Sequence, residues 1–119
     1  NLIGQLGACG AINDRSHLER TIANNKENYQ VAFNFLLEKK FSPIASLTNF
    51  ITFKTGSGEA SQFLFKSLCE QGVIIRPLIA NEMPDFVRVS IGTTEEMKHF
   101  YSAMNNVLPT YDQKFGRVL

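Results

Sequence analysis

Length, composition and charge describe a chain that can fold as one domain. Its 119 residues suffice for one hydrophobic core, and 44% of them are hydrophobic. The formal net charge is only +1 and no run of lysine or arginine occurs, which excludes the basic footprint of a nucleic-acid-binding protein. No apolar run is long enough to span a membrane. Cys9 and Cys69 lack metal-ligand spacing, so we expect two buried, reduced thiols and a cytoplasmic location.

The first segment, residues 1–12, is apolar and rich in small residues. Gly4, Gly7 and Gly10 recur at every third position. A dinucleotide-binding loop needs uneven glycine spacing between a strand and a helix, so the pattern favours a helix edge that another element approaches closely. No capping residue precedes the segment, and we interpret it as the continuation of a longer polypeptide.

The middle of the chain predicts a long helix, a strand and a second helix. The Ser16–Glu19 pattern is that of a capping box and predicts a helix that runs to about Lys40, where Ser42-Pro43 stops it. The β-branched and aromatic residues of segment 49–54 indicate a strand. The turn at 55–58 supplies a cap for the next helix, which ends near Gly72.

Two short apolar runs follow, and each contains one arginine. Val73–Ile75 predicts a strand that Arg76-Pro77 closes. Segment 86–91 alternates, so that its valines and isoleucine share one side and Arg88 lies on the other. An arginine in the middle of an apolar strand requires an anionic partner, and no carboxylate stands at obvious cross-strand spacing. Arg88 is therefore the first candidate for a binding residue.

The last predicted element is a helix. Thr93–Glu96 has the capping-box pattern, and Pro109 is expected to end the helix and leave a polar tail at 110–119. Its core stripe comprises Met97, Phe100, Tyr101, Met104, Val107 and Leu108.

The element order is helix, strand, helix, strand, strand, helix. Three strands with helices on one face form a two-layer α+β sandwich. The connection between the last two strands is too short for a parallel crossover, so we expect them to pair antiparallel.

Three segments carry a resemblance to a known family. Residues 72–78 read GVIIRPL, and residues 83–93 read MPDFVRVSIGT and are followed, one residue on, by Glu-Glu-Met. With Ser46–Phe50, they resemble the C-terminal small domain of the histidinol-phosphate aminotransferase family, pyridoxal-phosphate enzymes of fold type I. The resemblance implies that residues 1–13 are a remnant of the connection from a missing large domain and that residues 14–119 form the small domain.

The resemblance also implies an activity for the complete protein. The family transfers an amino group between histidinol phosphate and 2-oxoglutarate in histidine biosynthesis, and its members are cytoplasmic homodimers. Arg88 matches the position that binds the anionic group of the substrate, and Arg76 matches a second arginine near the same anion. No lysine here has the family's Ser-x-x-Lys context, so the large domain would bind pyridoxal phosphate. We expect no catalytic, cofactor-binding or metal-binding residue in this chain, which alone should be inactive.

Two other interpretations stay open at this point. The parent could be another fold type I aminotransferase, or a decarboxylase, that acts on an aromatic amino acid. Alternatively, the chain could be a free-standing α+β module that binds a small anion or a partner protein.

Overall fold

The computed structural model describes residues 1–116 and contains four α-helices and four strands in that part of the chain. A 3-10 turn, Ile79–Asn81, lies between the last two strands. In chain order the elements are α1 Leu2–Ile12, α2 Arg15–Glu38, β1 Ser42–Ile44, β2 Phe50–Lys54, α3 Gly58–Cys69, β3 Arg76–Leu78, β4 Met83–Ser90 and α4 Thr94–Phe115.

The four strands form one antiparallel sheet in the order β1-β2-β4-β3. This confirms the two-layer α+β fold and the antiparallel pairing of the last two strands. The expected number of three strands was wrong, because Ser42-Pro43 begins β1 as well as following the helix. Pro43 is tolerated there because β1 lies at the edge of the sheet, where a missing N–H group removes no ladder bond.

Alternation along β2 and β4 places the core on one face of the sheet. Ile51, Phe53 and Val87 are fully buried, and Val89 is 5% exposed. Helices α2, α3 and α4 contribute most of the remaining core, so the helices cover this face. The buried side chains contributed by the helices include Ala32, Leu36, Leu64, Leu68, Met97, Phe100, Met104 and Tyr111.

The predicted caps of α3 and α4 are confirmed, whereas that of α2 was wrong. The Ser57 hydroxyl accepts from the Ala60 N–H, and Thr93 and Glu96 form the capping box at the start of α4. Helix α2 is capped instead by Asp14, whose carboxylate accepts from the N–H group of His17. Aspartate is as good an N-cap as serine, and here it stands two residues earlier in the chain.

Helix α4 does not end at Pro109 but continues to Phe115. Proline within a helix removes one backbone hydrogen bond and costs about 3 kcal/mol. Burial of Tyr111 beyond the proline, to 1% exposure, offsets this cost. The expected polar tail is therefore helical as far as Phe115, and its last three residues lie outside the described part.

Helix α1 differs from the other three helices because none of its residues is buried. Asn1 caps it, accepting from the Gly4 N–H, so the expectation that no cap precedes the segment was wrong. Cys9 is exposed and Cys69 is half-buried, which corrects the prediction of two buried thiols. In the described residues, no helix is long and apolar enough to cross a membrane.

Candidate anion-binding site on the open face of the sheet

The face of the sheet opposite the helices is exposed or half-buried, and we call it the open face. It is defined by Phe50 and Thr52 of β2, Arg88 and Phe86 of β4, and Arg76 of β3. Phe50, Thr52, Phe86 and Arg88 are half-buried, and Arg76 is exposed. The alternation that places Val87 and Val89 in the core therefore places Arg88 on the open face, as the sequence predicted.

The two arginines predicted to bind the substrate lie directly opposite one another. In the register of β3 and β4, the Cα of Arg76 pairs with that of Arg88. Such partners have their Cβ atoms about 4.5–5.5 Å apart on the same face of the sheet. The structure thus brings together two guanidinium-bearing side chains from separate sequence segments.

Hydrogen bonding along β4 fixes the direction of the Arg88 backbone. The N–H group of Ile91 donates to the Asn49 carbonyl, and that of Thr55 donates to the Asp85 carbonyl. The odd-numbered residues of β4 therefore form their backbone hydrogen bonds with β2, and the even-numbered residues direct their N–H and C=O groups towards β3. Arg88 and Arg76 therefore form a hydrogen-bonded pair, in which two residues exchange backbone hydrogen bonds. This fixes the relative positions of their Cα atoms.

Neither arginine has a carboxylate within 4.0 Å in residues 1–116. The nearby cation Lys54, by contrast, forms an ion pair with Asp85 at 3.4 Å. Like charges directly opposite one another in a sheet destabilise it. The two arginines therefore face each other without an acidic side chain between them in the described part of the chain.

Phe50 is the other distinctive neighbour of Arg88. The Cζ atom of Arg88 lies 4.7 Å from the centroid of the Phe50 ring, within the range of a cation–π interaction. The sequence analysis did not single out Phe50 as a site residue. A phenylalanine diagonal to a strand arginine could have drawn attention, but the register that joins them is not visible in the sequence.

Strand β3 begins later than predicted. Val73–Ile75 lies outside the strand, which starts at Arg76. Ile75 is buried in the core, 3% exposed, whereas Ile74 is 82% exposed. The β-branched run therefore leads into the strand, and the first paired residue is Arg76, the second candidate for binding an anion.

Every lysine in residues 1–116 is exposed except Lys39, which is half-buried against Glu38 and Phe35. The exposed ones are Lys26, Lys40, Lys54, Lys66, Lys98 and Lys114. In residues 1–116, no three His, Cys, Asp or Glu side chains form a group that could hold a metal ion. His99 contacts the Gln71 carbonyl at 2.9 Å, and His17 is exposed.

Comparisons with known proteins agree with the fold. Residues 3–104 match the family described as aminotransferase class I and II. The chain is 37% identical over 109 residues to histidinol-phosphate aminotransferase 2 of Methylococcus capsulatus, covering 91% of this chain and 29% of that protein. It is 34% identical over 110 residues to histidinol-phosphate aminotransferase of Methylobacillus flagellatus, covering 92% of this chain and 29% of that protein.

A solved structure shows the same fold. The crystal structure of histidinol-phosphate aminotransferase from Sinorhizobium meliloti, in complex with pyridoxal-5'-phosphate, superimposes with a TM-score of 0.71 at 20% identity. The superposition covers 82% of this chain and 27% of that one. This chain thus spans less than a third of the length of the relatives that it matches.

Proposed function

Because the chain belongs to the aminotransferase class I and II family, we propose that it is the C-terminal small domain of a pyridoxal-phosphate-dependent aminotransferase and recognises the anionic group of the substrate. Residues 14–119 constitute the domain, and residues 1–13 connect it to the large domain. The parent is an aminotransferase that acts on histidinol phosphate, as the names of the relatives suggest. The resemblance of the sequence to this family implies that 2-oxoglutarate is its second substrate. It is a cytoplasmic homodimer.

The observation that carries this proposal is the arginine pair on the open face. Arg88 and Arg76 are direct cross-strand partners, and no carboxylate in the described residues neutralises them. A planar guanidinium donates two parallel hydrogen bonds to a phosphate or a carboxylate, which a lysine ammonium cannot do. One arginine pair can therefore receive the phosphate of one substrate and the carboxylate of the other in turn.

In this proposal the two domains of the parent have different roles. Pyridoxal phosphate, held by the large domain, would supply an electron sink for the carbon that carries the amino group. Arg88 and Arg76 bind and orient the substrate through its anion, away from the reacting atoms. Orientation of this kind raises the rate because the reacting groups are already in place when the reaction begins.

The exposed helix α1 supports the connection to a large domain. All its residues except Gln5 are apolar or small, and Ile3 and Ile12 are 82% and 77% exposed. A helix with so little polar surface is ordinarily buried. A free-standing module would have no reason to expose such a helix, so this feature favours the longer parent over the independent binding module.

The test is Arg88→Lys in the full-length enzyme. The substitution keeps the charge and removes the fork, so we expect kcat/KM to fall roughly tenfold to a thousandfold, at about 1.4 kcal/mol per decade. Both half-reactions should suffer, because the amino donor and the amino acceptor each present an anion. Arg76→Ala should have a smaller effect that falls unequally on the two substrates, because Arg76 is the more exposed of the pair.

Arg15→Lys is the matched control, since Arg15 is an exposed arginine at the start of α2. Its kinetics should equal those of the wild type. The Tm of the Arg88→Lys protein should also remain unchanged. A variant that unfolds at a lower temperature while its folded fraction retains normal kinetics would identify Arg88 as a structural residue.

A further inference from the structure

The ring of Phe50 lies closer to the guanidinium of Arg88 than the positions of the two residues in the sheet would suggest. Phe50 pairs directly with Ser90, so Phe50 and Arg88 are diagonal neighbours on the open face. Diagonal Cα atoms are about 7–8 Å apart, and only long or aromatic side chains meet across that distance. The Arg88 side chain therefore leans along the sheet towards Phe50, where its Cζ lies 4.7 Å from the ring centroid.

An arginine at this position needs a support of this kind. Its long side chain has several rotatable bonds, and fixing them costs conformational free energy. The charge of Arg76 directly opposite repels it. In residues 1–116 no carboxylate lies close enough to hold the guanidinium in place before an anion binds. The Phe50 ring is the group that the structure places against the guanidinium.

The backbone around Phe50 is itself held in place. The Thr48 hydroxyl donates to the Phe50 carbonyl at 3.1 Å, and the Ser46 hydroxyl contacts the Thr48 hydroxyl at 2.8 Å. On the other side, the Asn49 carbonyl accepts from the N–H group of Ile91. These bonds fix the start of β2, and with it the position of the ring.

We propose that Phe50 is a positioning residue that holds the Arg88 guanidinium, through a cation–π contact, in the orientation in which its N–H edge receives the substrate anion. The inference rests on the proposed function of Arg88 and deepens it. Because the ring contacts Arg88 and the anion is bound by the arginine, Phe50 acts through Arg88.

The test compares variants of the full-length holoenzyme. Phe50→Leu removes the π face, so we expect the dissociation constant for inorganic phosphate to rise roughly 2-fold to 30-fold, the range of a cation–π contact. KM should rise by a similar factor for both substrates, and Phe50→Tyr should restore both values. Phe86→Leu is the matched control, because Phe86 lies on the same face and its ring faces Lys54 at 5.9 Å; its phosphate affinity should be unchanged.

Fluorinated phenylalanines placed at position 50 separate electrostatics from packing. Successive fluorine atoms weaken the negative face of the ring and change its shape little, so phosphate affinity should fall steadily along the series. A ring that acts by packing alone would give no such trend, and a flat series would overturn the proposal. In an Arg88→Ala background, Phe50→Leu should have no further effect on phosphate binding.

The outcomes distinguish failure of this inference from failure of the proposed function. If Arg88→Ala leaves phosphate affinity unchanged, the proposed function of the site is wrong. If Arg88→Ala weakens phosphate binding but Phe50→Leu does not, the function stands and the positioning role of Phe50 is wrong. Equal losses in the Phe50→Leu and Phe86→Leu proteins would also refute the positioning role.

Discussion

Helix α4 carries two buried tyrosine hydroxyls in opposite hydrogen-bonding states. The Tyr111 hydroxyl donates to the Thr55 carbonyl, and Tyr111 and Thr55 are 1% and 7% exposed. The Tyr101 hydroxyl is also buried, but within the described residues it has no hydrogen-bond partner. The same substitution, tyrosine to phenylalanine, therefore removes a satisfied hydroxyl at one position and an unsatisfied hydroxyl at the other.

We expect the two substitutions to change stability in different directions. Tyr111→Phe leaves a buried carbonyl without its partner, so the free energy of unfolding should fall by about 1–3 kcal/mol. Tyr101→Phe removes a hydroxyl that gains no hydrogen bond on folding, so the free energy of unfolding should stay unchanged or rise. For a chain of this size, each kcal/mol corresponds to roughly 3–6 °C in Tm.

Urea denaturation followed by circular dichroism measures both variants against the wild type. The m-value should be the same for all three proteins, because the substitutions do not alter the surface that unfolding exposes. Equal losses in the two variants would show that ring packing, and not hydrogen bonding, determines the contribution of each tyrosine. A Tyr111→Phe protein as stable as the wild type would refute the role assigned to the Tyr111 hydroxyl.

Two further predictions concern buried polar groups. Asn28 is 5% exposed and donates from Nδ2 to Asn24 Oδ1 at 2.9 Å. Asn28→Ala should therefore lower the free energy of unfolding by about 1–3 kcal/mol. Asn34→Ala, on the exposed side of α2, should change it by less than about 0.5 kcal/mol. Burial raises the pKa of Tyr101, so the folded protein keeps a proton that the unfolded chain releases above about pH 10. Stability should therefore fall as the pH rises from about 10 towards the raised pKa, and Tyr101→Phe should lose less stability in urea titrations over that range.

Local patterns in the sequence predicted the elements whose determinants are themselves local. The alternation of segment 86–91 placed Val87 and Arg88 on opposite faces because side chains on a strand alternate whatever lies beside it. The caps at Ser57 and Thr93 were predictable because a cap needs only the three or four residues that follow it. Strand alternation was therefore enough to identify Arg88 as a candidate binding residue.

The misplaced boundaries depend on contacts that the sequence does not display. Pro109 was expected to end α4, yet the burial of Tyr111 carries the helix past it. Tertiary packing outweighs local preference there. The β-branched Val73–Ile75 was expected to pair, yet pairing starts at Arg76, and Ile75 is buried in the core without belonging to the strand.

The composition of the site could be predicted only in part for the same reason. Arg76 and Arg88 were both expected near one anion, but only through resemblance to a family. Their direct pairing depends on the register that follows the 3-10 turn and the left-handed conformation of Glu82, with φ +59°. A shift of one residue would have placed Arg76 opposite Val87 or Val89, on the other side of the pleat.

The last prediction concerns α1 in the isolated chain. Helices of fewer than about 12–15 residues are marginal in water, and each interior glycine costs about 1 kcal/mol relative to alanine. Helix α1 has 11 residues, including Gly4, Gly7 and Gly10, and buries none of them. We expect its amide hydrogens to exchange rapidly in a dilute monomer, in contrast to those of α4. Strong protection of α1 in that monomer would contradict the view that a missing neighbour normally stabilises it.

Gly7→Ala tests the same point from the opposite side. An added Cβ at Gly7 meets no atom within 4 Å, so in the isolated chain the substitution should slow amide exchange in α1 through helix propensity alone. In the full-length protein, where we expect another element to approach this helix edge closely, the same methyl group should lower Tm. The opposite signs follow from one cause, because the glycine that weakens the free helix makes room for the neighbour. If Gly7→Ala raised Tm in the full-length protein as well, the glycine would not mark a packing surface, and the assignment of α1 as an interdomain helix would lose its support.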